Sequence, residues 1–201
     1  MEFQDVITMR RSIRNFKQEP VPDGMIMELL EAARLAPSGL NVQPWRFVVV
    51  KDATAKKQLV EAGASAFLAN APAVILCCAD MTAFSMVGAR VQELVQTGAM
   101  TPESIRWLNE PRPAASDADQ QWILAGMKEN IAIAITHILL KATDLGLGSC
   151  WLGAFDEDKV KAIAGLDGRY GVTALLAIGF ADQAPDPRPR IPVEDLLLKT
   201  V

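Results

Sequence analysis

Histidine is nearly missing from this chain: His137 stands alone among 201 residues. A single imidazole excludes multi-histidine metal sites, and any Ser/His or Cys/His catalytic pair would have to use this one residue. It falls in an apolar helical stretch, where a satisfied core or interface side chain is the plainer reading. Cysteine is scarce as well: Cys77, Cys78 and Cys150 are odd in number, and the adjacent pair would point to opposite faces of a strand. A disulfide framework is therefore not expected. Positive charge is not in excess, since 20 Lys and Arg against 24 Asp and Glu leave a net charge of -4. With a pI near 5.1, the chain lacks the basic field of a nucleic-acid binder. No uninterrupted apolar run reaches the length of a membrane span, and the opening Met1-Glu2-Phe3-Gln4-Asp5 is acidic, unlike a secretory leader. We expect no nucleic acid, no membrane and a reducing cytoplasm.

A dinucleotide fingerprint is also lacking. Gly146-Leu147-Gly148-Ser149-Cys150-Trp151-Leu152-Gly153 is glycine-rich, but its spacing is wrong and it leads from a helix into a strand. A dinucleotide loop leaves a strand and opens a helix. Gly153 suits a different purpose, the close approach of backbone amides to a flat ring.

What is present is a 50% hydrophobic composition, ample for a core at this length, with no repeat or low-complexity tract. A short helix is expected from Phe3 to about Arg11, with Val6, Ile7 and Met9 turned inward. Asp23 would cap a second, in which Ile26, Leu29, Leu30 and Ala33 share one face. Asp52 or Thr54 would cap a third, stopped by Gly63, and Asp156 another. The run Ala73 to Ala79 is continuously apolar and reads as a central strand, and Val172 to Phe180 as a second buried one. Between them, residues 82–113 form a helical excursion bearing Phe84, Met86, Val91, Ile105 and Trp107, apolar enough for core or lid. Ser116-x-x-Asp119 would box the start of a long helix to Leu145, apolar nearly all round from Gly126 and hence buried centrally or against a second subunit.

Three stretches carry chemistry. In Ala36-Pro37-Ser38-Gly39-Leu40-Asn41-Val42-Gln43-Pro44-Trp45-Arg46-Phe47, Pro37 ends a helix, Gly39 permits left-handed backbone, and Phe47-Val48-Val49-Val50 begins a strand. The hydroxyl and amide groups between the prolines could serve a flat polar heterocycle, or the segment is a plain connection. Arg10, Arg11 and Arg14 cluster around Ser12, either as a solvated basic surface or as a grip on phosphate oxygens. Arg188 and Arg190 sit two apart in a proline-rich tail, on one side of the chain if it is extended.

The loop segment resembles the A-P-S-x-x-N-x-Q-P-W-x-F signature of the nitroreductase family, the FMN-dependent NAD(P)H oxidoreductases, at every named position. Arg10-Arg11-Ser12-Ile13-Arg14 resembles that family's phosphate segment, and Gly146 to Phe155 and Arg188-Pro189-Arg190 its other flavin-contact regions. The resemblance implies an α+β fold, a central mostly antiparallel sheet flanked by helices. It also implies an intertwined homodimer that exchanges C-terminal arms and holds FMN at the subunit interface. We accordingly expect one domain over residues 1–201, with 82–113 as helical insertion or lid and 181–201 as the arm. It further implies that Arg10, Ser12, Arg188 and Arg190 meet the FMN phosphate, with Arg11 beside them, and that Arg14 meets the ribityl chain and the N1/O2 edge. Pro37, Ser38, Gly39 and Asn41, from the other subunit, would line the ring, while Gly153 and Ala154 bring backbone near N5. The family often has an acidic residue followed by glycine there, so Gly153-Ala154 departs from it, and the N3/O4 contact stays unassigned.

The implied reaction is ping-pong hydride transfer from NAD(P)H through flavin N5 to a small planar acceptor such as a nitroaromatic or quinone, with no side-chain nucleophile and no metal. Three alternatives stand beside it. They are a different flavin reaction on the same fold (dehalogenation, peptide-ring oxidation or flavin breakdown), a non-catalytic FMN-binding protein, and an assembly protein whose buried helix is an interface.

Overall fold

The computed structural model describes residues 1–109 and 117–201, leaving aside the side chains of 107–109, 117–120 and 122. Four strands, β1 (Trp45–Val50), β2 (Ala73–Asp80), β3 (Gly148–Leu152) and β4 (Tyr170–Gly179), form one sheet in the order β1-β2-β4-β3, with every pairing antiparallel. β2 is buried along its whole length, as its unbroken apolar run requires. Alternate residues serve opposite layers. Ala73, Ile75, Cys77 and Ala79 join the core beneath helices α2 (Asp23–Arg34) and α5 (Asp117–Asp144). Val74, Leu76 and Cys78 join the core beneath α3 (Ala53–Glu61) and α6 (Glu157–Ala164). Cys77 and Cys78 thus pack on opposite faces, free and buried like Cys150.

Local chemistry sets most helix ends. The Asp52 carboxylate accepts from the Ala55 amide at 2.7 Å to open α3, and Gly63 follows its end at φ +90°. Asp156 accepts from the Lys159 amide at 3.2 Å to open α6, and Gly165 closes it at φ +64°. Asp23 does not cap α2: it is the first helical residue, and its carboxylate is taken by Lys51. In α1 (Phe3–Met9) only Val6 is buried, while Ile7 and Met9, expected inward, are exposed.

The excursion after β2 is less helical than its apolar pattern suggests. A 3-10 turn at Ala83–Met86 leads into α4 (Val87–Gln96), and Glu103–Asn109 is again 3-10 rather than α-helix. Residues 110–113 and the Ser116 end of the expected capping box lie outside the described residues. In α5, Ile131, Ala134, Ile135 and Ile138 are fully buried, whereas Leu124 and Ile133 stand exposed. Ile123–Asp144 is long and apolar enough to cross a membrane by length and composition alone. Lys128 and Glu129 interrupt it, and its buried stripe belongs to the core shared with the sheet.

The segment from Ser12 to Lys17 runs from the β3 edge to the chain leaving β4. The Ile13 amide donates to the Ser149 carbonyl at 2.9 Å, the Lys17 amide to the Phe180 carbonyl at 2.9 Å, and the Asp182 amide to the Asn15 carbonyl at 3.0 Å. Pairing covers an edge that would otherwise be open. Beyond Arg190 the arm has one 3-10 turn, Val193–Leu196, and Ile191, Val193, Leu196, Leu197 and Leu198 are all exposed.

Candidate functional site: an arginine-lined seat

Arg10 follows α1 directly, and Ser12 and Ile13 are fixed to β3 by the Ser12–Ser149 bridge. This contact demands glycine opposite: a Cβ on Gly148 would lie 2.8 Å from Ile13 Cγ1 and 2.9 Å from its Cβ. With residue 13 pressed on the sheet, its neighbours Ser12 and Arg14 are turned to the other side. The arm returns past them. Arg10, Arg11, Ser12, Arg14, Gln183, Pro185, Asp186, Arg188 and Arg190 then line one cavity of about 80 Å³.

Five guanidiniums around so small a space repel one another unless an anion separates them. Among the described residues, none of the five forms an ion pair; Asp186 is the only acid in the lining, outside bonding distance. Their hydrogen bonds go only to nearby backbone carbonyls. Arg11 Nη1 donates to Thr8 and Arg10 at 2.6 and 3.0 Å, Arg14 Nη1 to Ser12 at 3.3 Å, and Arg190 Nη1 to Pro189 at 3.0 Å. Arg11 Nε is buried with no partner. The field of the cluster reaches the sheet beneath: burial pushes the Cys150 thiol up, and Arg14, Arg188 and Arg10 pull it back down. Such a donor set suits a group with several anionic oxygens.

The second candidate region is the loop from Pro37 to Pro44. Ser38 Oγ accepts from the Gln43 amide at 3.1 Å, the Asn41 amide donates to the Ser38 carbonyl at 3.0 Å, and the Gly39 amide donates to Asn130 Oδ1 on α5 at 3.0 Å. Gly39 is not the left-handed residue. That conformation falls instead on Leu40 (φ 51°), Asn41 (φ 56°) and Gln43 (φ 47°), each costing about 1–2 kcal/mol for a side chain with a Cβ. Surrounding structure must hold them there.

Arg10, Arg11, Ser12, Arg14, Arg188 and Arg190 are therefore brought together within one chain. Pro37, Ser38, Gly39 and Asn41 do not line that cavity, and neither do Gly153 and Ala154, which stand exposed just after β3. Asn130 was not singled out by the sequence; one amide in an apolar helix was its only signal. His137 is part-buried with Nδ1 3.1 Å from the Ala32 carbonyl, a helix-packing contact.

The fold and this seat define an α+β protein that gathers five guanidiniums between its two chain ends. The chain matches the Nitroreductase family over residues 7–180 and belongs to that family. It is 34% identical over 190 residues to the NADH dehydrogenase of Thermus thermophilus, covering 94% of this chain and 91% of that one. It is 25% identical over 206 residues to the iodotyrosine deiodinase of Thermotoga neapolitana, covering 97% and 95%. Among solved structures, a protein from Exiguobacterium sibiricum in complex with FMN superposes with a TM-score of 0.80 at 27% identity, over 100% of this chain and 98% of that one.

Proposed function

We propose that this protein is an FMN-dependent oxidoreductase that passes reducing equivalents from NAD(P)H to a small planar acceptor by a ping-pong mechanism. The observation that carries the reading is the seat itself, five arginines from both ends of the chain around one cavity without a carboxylate partner. Arg10, Ser12, Arg188 and Arg190 hold the phosphate, and Arg11, with its buried unpartnered Nε, supports them. Arg14 sets positive charge along the ribityl chain and the N1/O2 edge. Bound FMN would supply hydride-accepting and electron-donating chemistry at N5, so the chain need supply no nucleophile or general base. The names of the Thermus relative and of the FMN complex from Exiguobacterium support the nicotinamide donor and the flavin.

The working unit is a homodimer. As the family resemblance implies, the partner's copy of the loop from Pro37 to Asn41 would line the ring, with the backbone of Gly153 and Ala154 near N5. The exposed face of α5 at Ile133 and the exposed apolar arm beyond Arg190 are the surfaces such a partner would cover. Residues 82–109 pack against this loop through Val42, Val87 and Val91 and act as the lid that selects the acceptor. The chain works as one domain, and its three free thiols suit the cytoplasm.

The absorbance spectrum of the purified protein, followed by anaerobic titration with NADH and NADPH, tests this reading. A flavin spectrum bleached by a nicotinamide and restored by a quinone is expected. Flavin that is bound but never reduced would favour a carrier, and colourless protein that takes up no FMN would contradict the reading. The Thermotoga relative favours reductive dehalogenation as a second reading; reoxidation by a halophenol rather than a quinone or nitroaromatic would select it.

A further inference from the structure

Asp80 ends β2 and is the only buried acid among the described residues, 1% exposed. Its carboxylate accepts from the Thr82 amide at 3.0 Å and hydroxyl at 2.7 Å, and from Arg169 Nε at 3.0 Å and Nη2 at 2.7 Å. Arg46 Nη2 lies 3.3 Å away. Arg46 carries the connection onward, donating through Nη1 to the Gln43 carbonyl at 3.1 Å and the Trp45 carbonyl at 2.7 Å. The backbone closes the same joint, since the Asp80 amide donates to the Pro44 carbonyl at 2.8 Å.

One carboxylate is thus tied to three places: the start of β4 through Arg169, the root of segment 82–109 through Thr82, and the end of the loop from Ser38 to Pro44 through Arg46. The apolar side completes the link, because Val87 and Val91 of α4 pack on Val42 with Phe84 and Leu40 around them. Leu40, Asn41 and Gln43 are the residues that need an outside hold. Charge-assisted bonds to a carboxylate are short and directional enough to provide one. The Arg169 bonds keep Asp80 well below the usual carboxylate range against the opposing pull of burial, so the acid stays ionised at working pH.

We propose that Asp80, Arg46 and Arg169 form a positioning node that holds the loop from Leu40 to Gln43 in its left-handed turn and sets segment 82–109 against it, so that both face the flavin ring in register. The last clause rests on the function proposed above; the hold on the loop does not. None of the three residues lines the arginine cavity, so phosphate binding is left alone when they change.

Hydrogen exchange of the native full-length protein tests the node without reference to flavin. Arg46 has a half-exposed side chain and can be removed without opening the core. In Arg46→Ala the amides of residues 39–43 should exchange at least tenfold faster, while those of β2 and β4 stay as slow as in wild type. Arg46→Lys, which keeps the charge but not the fork of donors, should recover part of the protection. In the FMN-loaded protein, Arg46→Ala should raise KM for p-benzoquinone about fivefold and change flavin fluorescence, with the FMN Kd within twofold of wild type. Unchanged loop exchange overturns the node, and so does faster exchange spread evenly over the sheet, which would mark general destabilisation. Faster loop exchange with unmoved quinone KM and fluorescence keeps the node and overturns the loop's place at the ring. Wild-type protein that takes up no FMN overturns the proposed function and leaves the exchange result standing.

Discussion

Arg14 and Arg188 come from opposite ends of the chain to one cavity, and each offers charge-assisted bonds worth about 1.5–3 kcal/mol, Arg188 to the phosphate and Arg14 to the ribityl chain and ring edge. Replacing both by alanine is expected to weaken FMN retention by about 3–4 kcal/mol, a few hundredfold in Kd by equilibrium dialysis. Unchanged binding would refute the assignment. Burial pushes the Cys78 thiol up to about 12 and Cys77 well above its ordinary value. Neither is then a thiolate at neutral pH, so in native protein both should resist a thiol reagent that titrates all three cysteines after unfolding. Asp80 is shifted the other way. Because its folded pKa lies below its unfolded value, its contribution to stability is complete above about pH 4 and fades only as pH falls further. The stability gap between wild type and Asp80→Asn, measured by urea unfolding, should therefore be constant from pH 7 to about pH 5 and narrow below about pH 4. The arginines were legible in the sequence because their chemistry is local and their number unusual. Asp80–Arg169 and Gly39–Asn130 were not: these partners are 89 and 91 positions apart, and no spacing rule joins them.

Among the elements, β3 and the segment beside it form the most tightly specified contact. Gly148→Ala would drive a methyl into the Ile13 side chain at its branch point, where little can give. We expect a loss of about 1–3 kcal/mol in urea unfolding, together with weaker FMN binding, because Ile13 sits between Ser12 and Arg14. Equal FMN affinity in the folded variant would separate the strand contact from the seat. β2 was readable as a central strand because burial on both faces leaves an unbroken apolar run. Helix α1 was misread at Ile7 and Met9, since an apolar side chain says only that burial is favourable and not that this chain supplies the cover. The turn at Leu40 was missed for a related reason. Glycine marks left-handed backbone where local preference decides, and here packing and the Asp80 node decide.

For the whole molecule, the proposed homodimer would cover the exposed apolar side chains of the arm and of α5. Sedimentation equilibrium should give twice the 21.8 kDa chain mass at micromolar concentration. Deleting residues 191–201 should weaken the dimer at least tenfold while leaving the arginine-lined cavity in each chain. A monomer from the intact chain would remove the partner's loop from the ring. Single strands and helices were legible because periodicity and caps report on each element separately, whereas the antiparallel sheet was expected through the family resemblance. That two chains would share one site is implied by the family resemblance alone.

In the proposed function, both chain ends converge to hold one phosphate. Fluorescence titration of wild-type protein with FMN and with riboflavin, which differ by that phosphate alone, tests it most directly. FMN should bind at least about a hundredfold more tightly, an advantage of about 2.7 kcal/mol, that shrinks with added salt and falls at least tenfold in the Arg188→Ala, Arg190→Ala double variant. Equal affinity for the two flavins in wild-type protein would contradict it.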